Sequence, residues 1–391
     1  MKEAIAALGP GPLTEAGLAK HVFPLFSRVL DTDRIYLENH SLGRCLDQTA
    51  DDLQEACSLW QSKLGDAWEN WIAERQCYRA RLARLIGAAR TDCVVPKTSA
   101  GQGLRTVLNA MPGTPRVIST SSEFDSIDLI LRQYAACGRI QVTWVEPDVP
   151  AVAEALTRGA DLVVVSQVLF MTSRIVHGVD RLAELCHAAG AKLLVDAYHA
   201  IGVFPVDVTA MDADFVISAS YKYLRGGPGA GFLYIAPAVL ESGFLPLDTG
   251  WFAKADHFAF ERPDPPRFAP GGDAFLESTP PIFTWYQARA GQEFTLAIGV
   301  DRLRAYSLEQ TARFKRYLAD AGVTAEGGGP NYGAFLTIQA PDARDLARRL
   351  ADRGVDVDSR GQLVRLCPDC LTTDQEMQRA ALSISLARAA R

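Results

Sequence analysis

The spacing of hydrophobic residues divides the chain into a helical stretch and a long alternating region. From residue 47 to residue 89, apolar residues recur three and four positions apart with charges between them, which predicts helices. From residue 92 to residue 237, apolar runs such as ADLVVVSQV and AKLLVDAYH alternate with amphipathic stretches such as GVDRLAELCHAAG. Continuous apolar strands separated by helices predict a mostly parallel sheet covered by helices on both faces.

The pattern becomes looser after residue 237. The stretch FERPDPPRFAPGGD has the proline and glycine density of a loop, and residues 284–322 have the pattern of one long helical stretch. The elements predicted after it are strand AFLTIQA, helix DARDLARRLADRG, a short strand pair around VDVDSRGQLVRLCP and a terminal helix. This alternation predicts a smaller C-terminal α/β domain.

We therefore predict three parts in a chain of 391 residues, a length that suits two or three structural units. Residues 1–45 form an N-terminal segment that packs on the small domain. Residues 46–284 form the large domain, and residues 285–391 form the small domain.

Composition narrows the classes of partner. The chain is 48% hydrophobic and 22% charged, which is typical of a globular protein, and its net charge of −6 argues against a nucleic-acid partner. No apolar run approaches the roughly 20 residues of a membrane span, and the N-terminus lacks the pattern of a signal peptide. We expect a cytoplasmic protein with no membrane partner.

The eight cysteines are scattered along the chain, as is typical of reduced thiols in a cytoplasmic enzyme. The pair Cys367 and Cys370 in CPDC forms a C-x-x-C motif, but a zinc site needs two more ligands at similar spacing. We therefore expect no metal.

Polar residues follow several predicted strands, where ligands bind in an open parallel sheet. In KTSAGQG, the hydroxyls of Thr98 and Ser99 precede a helix whose free N–H groups can bind an anion, although helix capping alone also explains them. Phe124, in SSEFDSID, can lie flat against a bound ring or belong to the core.

Asp196 ends an apolar strand, where a carboxylate is costly unless a positive or hydrogen-bonding group meets it. That group can be a protonated ring nitrogen or an arginine. His199, three residues further on, can support the carboxylate, face a ligand or be an ordinary core histidine.

Lys222 lies between two tyrosines in SASYKYLRGGPGAG, either as a solvated loop lysine or as a partly dry amine. A dry lysine amine loses its proton more easily and attacks aldehydes. Tyr221 offers a hydroxyl to a phosphate, and the glycines allow a tight turn. An anion loop, a stacking aromatic, a strand-end aspartate and this lysine are together the parts that hold pyridoxal phosphate.

Longer stretches of the chain also resemble the kynureninase family and, more broadly, class V enzymes of fold type I. The resemblance covers roughly residues 35–370 and rests on VDAYHAIGVFPVD, SASYKYLRGGPGAGFLYIAP, IYLENHSLGRCLDQT, GWFAKADHFAF and FLESTPPIFTWYQA. It implies the fold of a type I pyridoxal-phosphate-dependent transferase: a large domain with a mostly parallel seven-stranded sheet and a smaller C-terminal α/β domain.

The resemblance also implies a role for each matching residue. Lys222 forms the covalent link to pyridoxal phosphate and then moves protons, while Asp196 pairs with the pyridine nitrogen. The other cofactor residues that it implies are Phe124 on the ring, His199 beside Asp196, Thr98, Ser99 and Tyr221 on the phosphate, and Trp251 and Thr279 from a neighbouring subunit. It thus implies a homodimer with active sites at the interface, and Arg365 as the residue that binds the substrate α-carboxylate. Without the resemblance, the alternative for Arg365 is an ordinary surface ion pair.

The activity that the resemblance implies is hydrolysis of the Cβ–Cγ bond of kynurenine or a related aryl amino acid, giving an anthranilate-type acid and alanine. The substrate half departs from the family: PNYGAFLTI lacks an Arg-Gly pair, LCPDCL replaces an Ala-Pro-Leu-Tyr run, and Ser173 stands at a glycine position. The alternatives are a cysteine desulfurase or C–S lyase using Cys367 or Cys370, an epimerase, a specialised biosynthetic lyase, or a ligand-sensing module without activity.

Overall fold

The structure, a computed structural model, describes residues 1–390. Its strands are, in chain order, β1 (Ile35–Tyr36), β2 (Val94–Lys97), β3 (Arg116–Thr120), β4 (Gln141–Val145), β5 (Leu162–Ser166), β6 (Lys192–Asp196), β7 (Phe215–Ala219), β8 (Gly231–Ile235), β9 (Glu326–Gly327), β10 (Leu336–Gln339), β11 (Val355–Asp356), β12 (Asp358–Arg360) and β13 (Leu363–Leu366).

The helices connect and cover these strands. The α-helices are α1 (Lys2–Ala6), α2 (Glu15–His21), α3 (Ser27–Leu30), α4 (Gln48–Lys63), α5 (Ala67–Leu85), α6 (Ala100–Ala110), α7 (Asp125–Ala136), α8 (Val149–Leu156), α9 (Val179–Ala188), α10 (Val208–Met211), α11 (Pro237–Glu241), α12 (Phe283–Ile298), α13 (Val300–Asp320), α14 (Ala343–Ala351) and α15 (Asp374–Ala389). Short 3₁₀ helices are Phe23–Phe26, Leu64–Asp66, Thr91–Cys93, Trp251–Ala253 and Gly271–Phe275.

Seven strands form the central sheet in the order β2-β8-β7-β6-β5-β3-β4. Strands β4, β3, β5, β6 and β7 are parallel, and β8 is antiparallel to both of its neighbours. This confirms the predicted mostly parallel, seven-stranded sheet.

Both faces of the central sheet are buried, which explains its continuous apolar strands. In β5, Val163 and Val165 pack in a hydrophobic cluster with residues of α8 and α9, whereas Leu162 and Val164 pack in a second cluster with residues of α6 and α7. Because successive side chains of a strand point to opposite faces, every position of β5 must carry either an apolar side chain or a polar one with a hydrogen-bond partner.

A smaller antiparallel sheet, in the order β12-β13-β10-β9, lies in the C-terminal part of the chain. Strand β1, from the N-terminal segment, pairs in parallel with β11, so that Ile35 lies opposite Val355. Ile35 and Leu37 share a hydrophobic cluster with residues of α13, α14 and α15. The exact boundaries of the three predicted parts stay a prediction.

The helical stretch predicted over residues 284–322 is divided in the structure. Helix α12 ends and α13 begins on either side of Gly299, whose φ of 92° lies outside the right-handed helical region. Among residues 1–390, no helix is both long and apolar enough to cross a membrane. A cytoplasmic location stays a prediction.

The carboxyl ends of four parallel strands meet at one edge of the sheet: Thr120 of β3, Ser166 of β5, Asp196 of β6 and Ala219 of β7. Strand β2 runs in the same direction, because it is antiparallel to β8 and β8 is antiparallel to β7. The loops that follow these strands are where a ligand of an open α/β sheet binds.

Candidate active site

The loop that carries Lys222 is closed tightly on itself after β7. The backbone N–H of Ser220 donates to the carbonyl of Ala230 at 2.7 Å, and that of Gly226 donates to the carbonyl of Ser220 at 2.7 Å. A Cβ atom at Gly226 would lie 2.9 Å from the Cα of Ala288 in α12. Glycine is therefore needed here because the loop packs directly on a helix backbone.

The Lys222 amine lies in a dry pocket formed by rings. The residue is only 6% exposed, and its Nζ atom lies 2.7 Å from Nε2 of His199. The ring centroids of Phe124, Tyr198 and Tyr221 are 5.8, 5.9 and 5.7 Å from Nζ. A lysine in these surroundings is not the solvated loop residue that the sequence left open.

Asp196 and Lys222 shift each other's proton affinity. Burial lowers the pKa of Lys222 below its ordinary range, and the Asp196 carboxylate only partly restores it. Burial also raises the pKa of Asp196, which is 4% exposed and whose Oδ1 accepts a hydrogen bond from the Tyr198 N–H at 2.9 Å. A buried amine that is easily deprotonated is the form that attacks an aldehyde.

His199 connects Lys222 to a second tyrosine. Its Nδ1 atom lies 3.1 Å from the Tyr223 hydroxyl, on the opposite side of the ring from Lys222. Burial, and then the charge of Lys222, lowers the pKa of His199 well below its ordinary value, so its imidazole is neutral. If Nδ1 carries the proton and donates it to Tyr223, Nε2 is free to accept a hydrogen bond from Lys222.

The two hydroxyl residues before α6 lie at an exposed helix start. Ser99 is the N-cap, and its Oγ accepts from the Gln102 N–H at 3.2 Å. The Thr98 hydroxyl donates to Oε1 of Gln102 at 3.0 Å. Ser99 therefore caps α6, as the sequence allowed. Both hydroxyls are exposed at the N-terminus of α6, where a bound anion is stabilised.

Trp251 and Thr279 come together in the structure. The indole Nε1 of Trp251 donates to Oγ1 of Thr279 at 3.3 Å. Thr279 and Thr98 line the same cavity of about 380 Å³. Two segments that the sequence relates to a phosphate site thus lie next to the loop before α6.

Arg365 forms a buried ion pair. Its Nε donates to Oδ1 of Asp358 at 2.7 Å, its Nη2 donates to the other carboxylate oxygen, and its Nη1 donates to the carbonyl of Phe170 at 2.6 Å. The sequence allowed a surface ion pair as the alternative for Arg365. The ion pair is present, but it is buried, since Arg365 is only 3% exposed. The Arg365 guanidinium lies 5.5 Å from the ring centroid of Phe335, and that ring is 5.7 Å from the ring of His199, so the ion pair lies beside the same site. The charge of Arg365 also lowers the pKa of Lys222.

Sequence reasoning missed Glu123, the residue before Phe124. Its carboxylate accepts hydrogen bonds from the hydroxyl of Thr120 at 2.6 Å and from the hydroxyl and N–H of Ser166 at 2.6 and 3.2 Å. Burial raises its pKa to about 7. Glu123 therefore joins the ends of β3 and β5 and fixes the start of the loop that carries Phe124.

Sequence reasoning also missed Tyr198, Tyr223 and Asp358. The two tyrosines lie within the stretches that contain Asp196 and Lys222, so their proximity was the available signal. For Asp358, the signal was the turn residue Gly361 between two short strands, which predicts a hairpin that places Asp358 opposite Arg365.

The structure describes two of the places where the chain departs from the family: Ser173 and the two cysteines of LCPDCL. Ser173, at the glycine position of the family, has a φ of 65°, in the region that favours glycine. Cys367 and Cys370 are 1% and 5% exposed, and burial raises the pKa of Cys370 to about 11. Neither thiol is therefore an accessible thiolate.

A lysine amine and a carboxylate buried at the carboxyl edge of a mostly parallel sheet define a pyridoxal-phosphate enzyme of fold type I. The residues fit the cofactor, since Lys222 is dry enough to react with its aldehyde and Asp196 has acceptor capacity left for a protonated ring nitrogen. The chain belongs to the class V aminotransferase family, whose family model matches residues 41–389. Its cofactor is pyridoxal phosphate, as predicted.

The similar proteins agree with this family and with the resemblance to kynureninases. A kynureninase of Deinococcus radiodurans is 29% identical over 74% of this chain and 72% of its own length. A kynureninase of Pseudomonas fluorescens is 27% identical over 83% of this chain and 82% of its own. The cysteine desulfurase CsdA of Escherichia coli has the same fold, with a TM-score of 0.82 and 17% identity over 97% of this chain and all of its own.

Proposed function

We propose that the protein is a kynureninase-type hydrolase. The substrate is kynurenine or a related aryl amino acid, and water cleaves its Cβ–Cγ bond to give an anthranilate-type acid and alanine. The observation that carries the proposal is the buried Lys222 amine, 2.7 Å from Nε2 of His199 and close enough to Asp196 for the carboxylate to raise its pKa. The similar proteins of this chain also include several kynureninases.

Bound pyridoxal phosphate supplies an electron sink for the carbanion that forms at the substrate α-carbon. In the proposal, Lys222 Nζ would hold the cofactor through its aldehyde, and the amine, when free, would accept the proton from the substrate α-carbon. Asp196 keeps the pyridine nitrogen protonated. Its buried position suits this task, because a carboxylate in a dry site interacts strongly with a cation.

His199 and the rings orient the amine. In the proposal, Nε2 of His199 accepts a hydrogen bond from Lys222 Nζ and directs it toward the substrate. Phe124 would hold the cofactor ring, and Phe170 packs edge-on against Phe124 with 5.6 Å between ring centroids, which fixes the orientation of Phe124. The rings around the amine keep it out of bulk water, and this burial lowers its pKa.

We also propose a homodimer in which Trp251 and Thr279 of one subunit complete the phosphate site of the other, so that the cavity that Thr279 lines with Thr98 of its own subunit lies at the interface. Thr98, Ser99 and Tyr221 bind the phosphate from within the subunit. Support comes from the exposed aromatic surface beside Trp251: Phe260 is 70% exposed, and its ring is stacked 6.0 Å from the indole. Apolar surface of this kind is typical of a protein interface. Light scattering on the purified holoenzyme tests the dimer.

Arg365 is the proposed partner of the substrate α-carboxylate, so the substrate class is an amino acid. Its guanidinium can bind a planar carboxylate through two parallel N–H groups. Its guanidinium lies beside Phe335, whose ring also packs against His199, the partner of Lys222.

Thiol chemistry is the competing class of reaction. A cysteine desulfurase needs a reactive cysteine at the cofactor, and the chain's fold is shared with such an enzyme. Cys367 and Cys370 argue against it, since both are buried and the pKa of Cys370 is raised by burial. If the purified holoenzyme releases sulfur from cysteine as sulfide, the activity belongs to this class and the proposed hydrolase activity is wrong.

The direct test is to incubate the holoenzyme with kynurenine and follow the fluorescence of anthranilate. We expect anthranilate and alanine in equal amounts. If kynurenine changes the absorbance of the bound cofactor but no anthranilate forms, the reaction belongs to another class V lyase or to an epimerase. In that case, exchange of the α-proton with deuterated water identifies which bond the enzyme activates.

A further inference from the structure

Arg365, the residue assigned to the substrate carboxylate, is already bound along one edge. Its Nε and Nη2 groups donate to the two oxygens of Asp358, and its Nη1 donates to the carbonyl of Phe170. A guanidinium has five N–H donors, so two of them remain. Asp358 thus occupies the edge formed by Nε and Nη2 and leaves donors on Nη1 and Nη2.

Asp358 is itself fixed by the N-terminal segment. It accepts hydrogen bonds from the Ser41 hydroxyl at 2.6 Å and from Nε2 of His40 at 3.0 Å. The antiparallel pairing of β12 with β13 also places it opposite Arg365. Burial raises the pKa of Asp358, but the hydrogen bonds from His40 and Arg365 outweigh burial and leave its pKa well below the ordinary range.

These contacts decide between two roles for Asp358. One role is a competitor that the substrate carboxylate must displace from Arg365. Displacement would leave a mostly buried carboxylate without its hydrogen-bonded arginine, with only the more exposed Arg360 guanidinium, at 3.7 Å, to compensate it. Breaking the buried pair is therefore unfavourable. The other role is a support that stays in place while the substrate binds to the remaining donors.

We propose that Asp358 is a positioning residue that aims the two remaining N–H donors of Arg365 at the substrate α-carboxylate. The inference rests on the proposed function, because it takes Arg365 as the carboxylate-binding residue. His40 and Ser41 in turn bind Asp358, so the N-terminal segment contributes to recognition of the substrate. A guanidinium fixed in this way loses less conformational freedom on binding than a free one.

The test compares a ligand that has the carboxylate with one that lacks it. L-alanine and L-alaninamide are titrated into the holoenzyme, and the dissociation constants are read from the absorbance of the bound cofactor. In Asp358→Asn, an amide NH₂ replaces one oxygen and faces the donors of Arg365. We expect the dissociation constant of L-alanine to rise about tenfold or more and that of L-alaninamide to stay unchanged.

Asp356→Asn is the matched control, because Asp356 lies two residues away and pairs with Arg34 through both oxygens, at a partly exposed place. It should leave both constants unchanged. Ser41→Ala is a milder second variant in case Asp358→Asn does not fold. We expect it to weaken binding of L-alanine by about threefold, again without an effect on L-alaninamide.

Three results would overturn the inference: unchanged L-alanine binding in Asp358→Asn, tighter binding, which identifies a competitor, or equal weakening of both ligands, which identifies a purely structural role. The proposed function fails separately. If Arg365→Ala binds L-alanine as well as the unaltered protein does, the carboxylate assignment is wrong. If kynurenine gives no anthranilate while Asp358→Asn still discriminates the two ligands, the reaction is wrong and the role of Asp358 stands.

Discussion

Nζ of Lys222 lies 2.7 Å from Nε2 of His199, in a site where both side chains are almost completely buried. Two basic groups at this distance cannot both be charged without a large cost, because burial removes the water that would screen them. The pKa of each is lowered, in both cases first by burial. The pair is therefore ready to hold a single proton, or none, where the cofactor aldehyde binds.

Replacement of Lys222 tests the covalent link to the cofactor. Lys222→Ala should give a folded protein without the absorbance of the linked cofactor and without turnover, because no other amine takes its place. Absorbance spectra and activity measure the loss, and circular dichroism checks the fold. Lys192→Gln is the control, since Lys192 is a partly exposed lysine that pairs with Asp214. A Lys222→Ala protein that still turned over substrate would refute the assigned role.

The rate of cofactor uptake should report the lowered pKa of Lys222. The neutral amine attacks the aldehyde, so the rate at which apoprotein binds pyridoxal phosphate should rise with pH. Because burial disfavours the charged ammonium, the midpoint should lie well below the ordinary lysine value of 10.5. Asp196→Asn should lower the midpoint further, because the Asp196 carboxylate raises this pKa. A midpoint near 10.5 would mean that the amine is in contact with water.

Tyr223 should affect the rate of catalysis, because it fixes the tautomer of His199. Tyr223→Phe removes the hydroxyl 3.1 Å from Nδ1, so Nε2 is no longer kept as the acceptor for Lys222. We expect kcat to fall roughly three- to tenfold with little change in KM. Tyr317→Phe is the control, because it removes a hydroxyl that donates to Asp374, at 2.7 Å, in the C-terminal part of the chain. Equal losses in both variants would point to a general effect on stability.

Glu123 should make stability depend on pH. Burial raises its pKa to about 7 from an ordinary 4.5, so between these values the folded protein holds a proton that the unfolded chain has lost. Its stabilising contribution is therefore complete below pH 4.5 and is lost as the pH rises through 7.

Glu123→Gln imitates the protonated form at every pH. The difference in free energy of unfolding, variant minus unaltered protein, should rise by an amount on the order of 2 kcal/mol from pH 5 to pH 8. Urea unfolding at the two pH values measures the difference. Glu154→Gln, at an exposed position, should show no such gain. If the difference does not change with pH, Glu123 is ionised in the folded protein throughout.

The sequence pattern predicted the central sheet because its strands are buried on both faces and are therefore continuously apolar. The same pattern is sufficient to place Asp196 at the end of one strand and Lys222 shortly after the next. The pattern did not show where α12 ends, since apolar spacing continues across Gly299, and only its positive φ separates the two helices.

Contacts between distant parts of the chain were beyond the sequence pattern. Glu123 meets Ser166 across 43 residues, and Ser41 meets Asp358 across 317. Local spacing says nothing about pairs of this kind, because they depend on strand order and on how the N-terminal segment packs. The Arg365 pair is different: it lies within one hairpin, and alternation around the turn at Gly361 predicts it.

The most direct test of the central claim is to find which lysine carries the cofactor. The holoenzyme is treated with borohydride, which makes the link to pyridoxal phosphate permanent, and its peptides are then sequenced by mass spectrometry. The account predicts that the modified lysine is Lys222. Modification of another lysine instead, such as the buried Lys97 that pairs with Glu277, would contradict it.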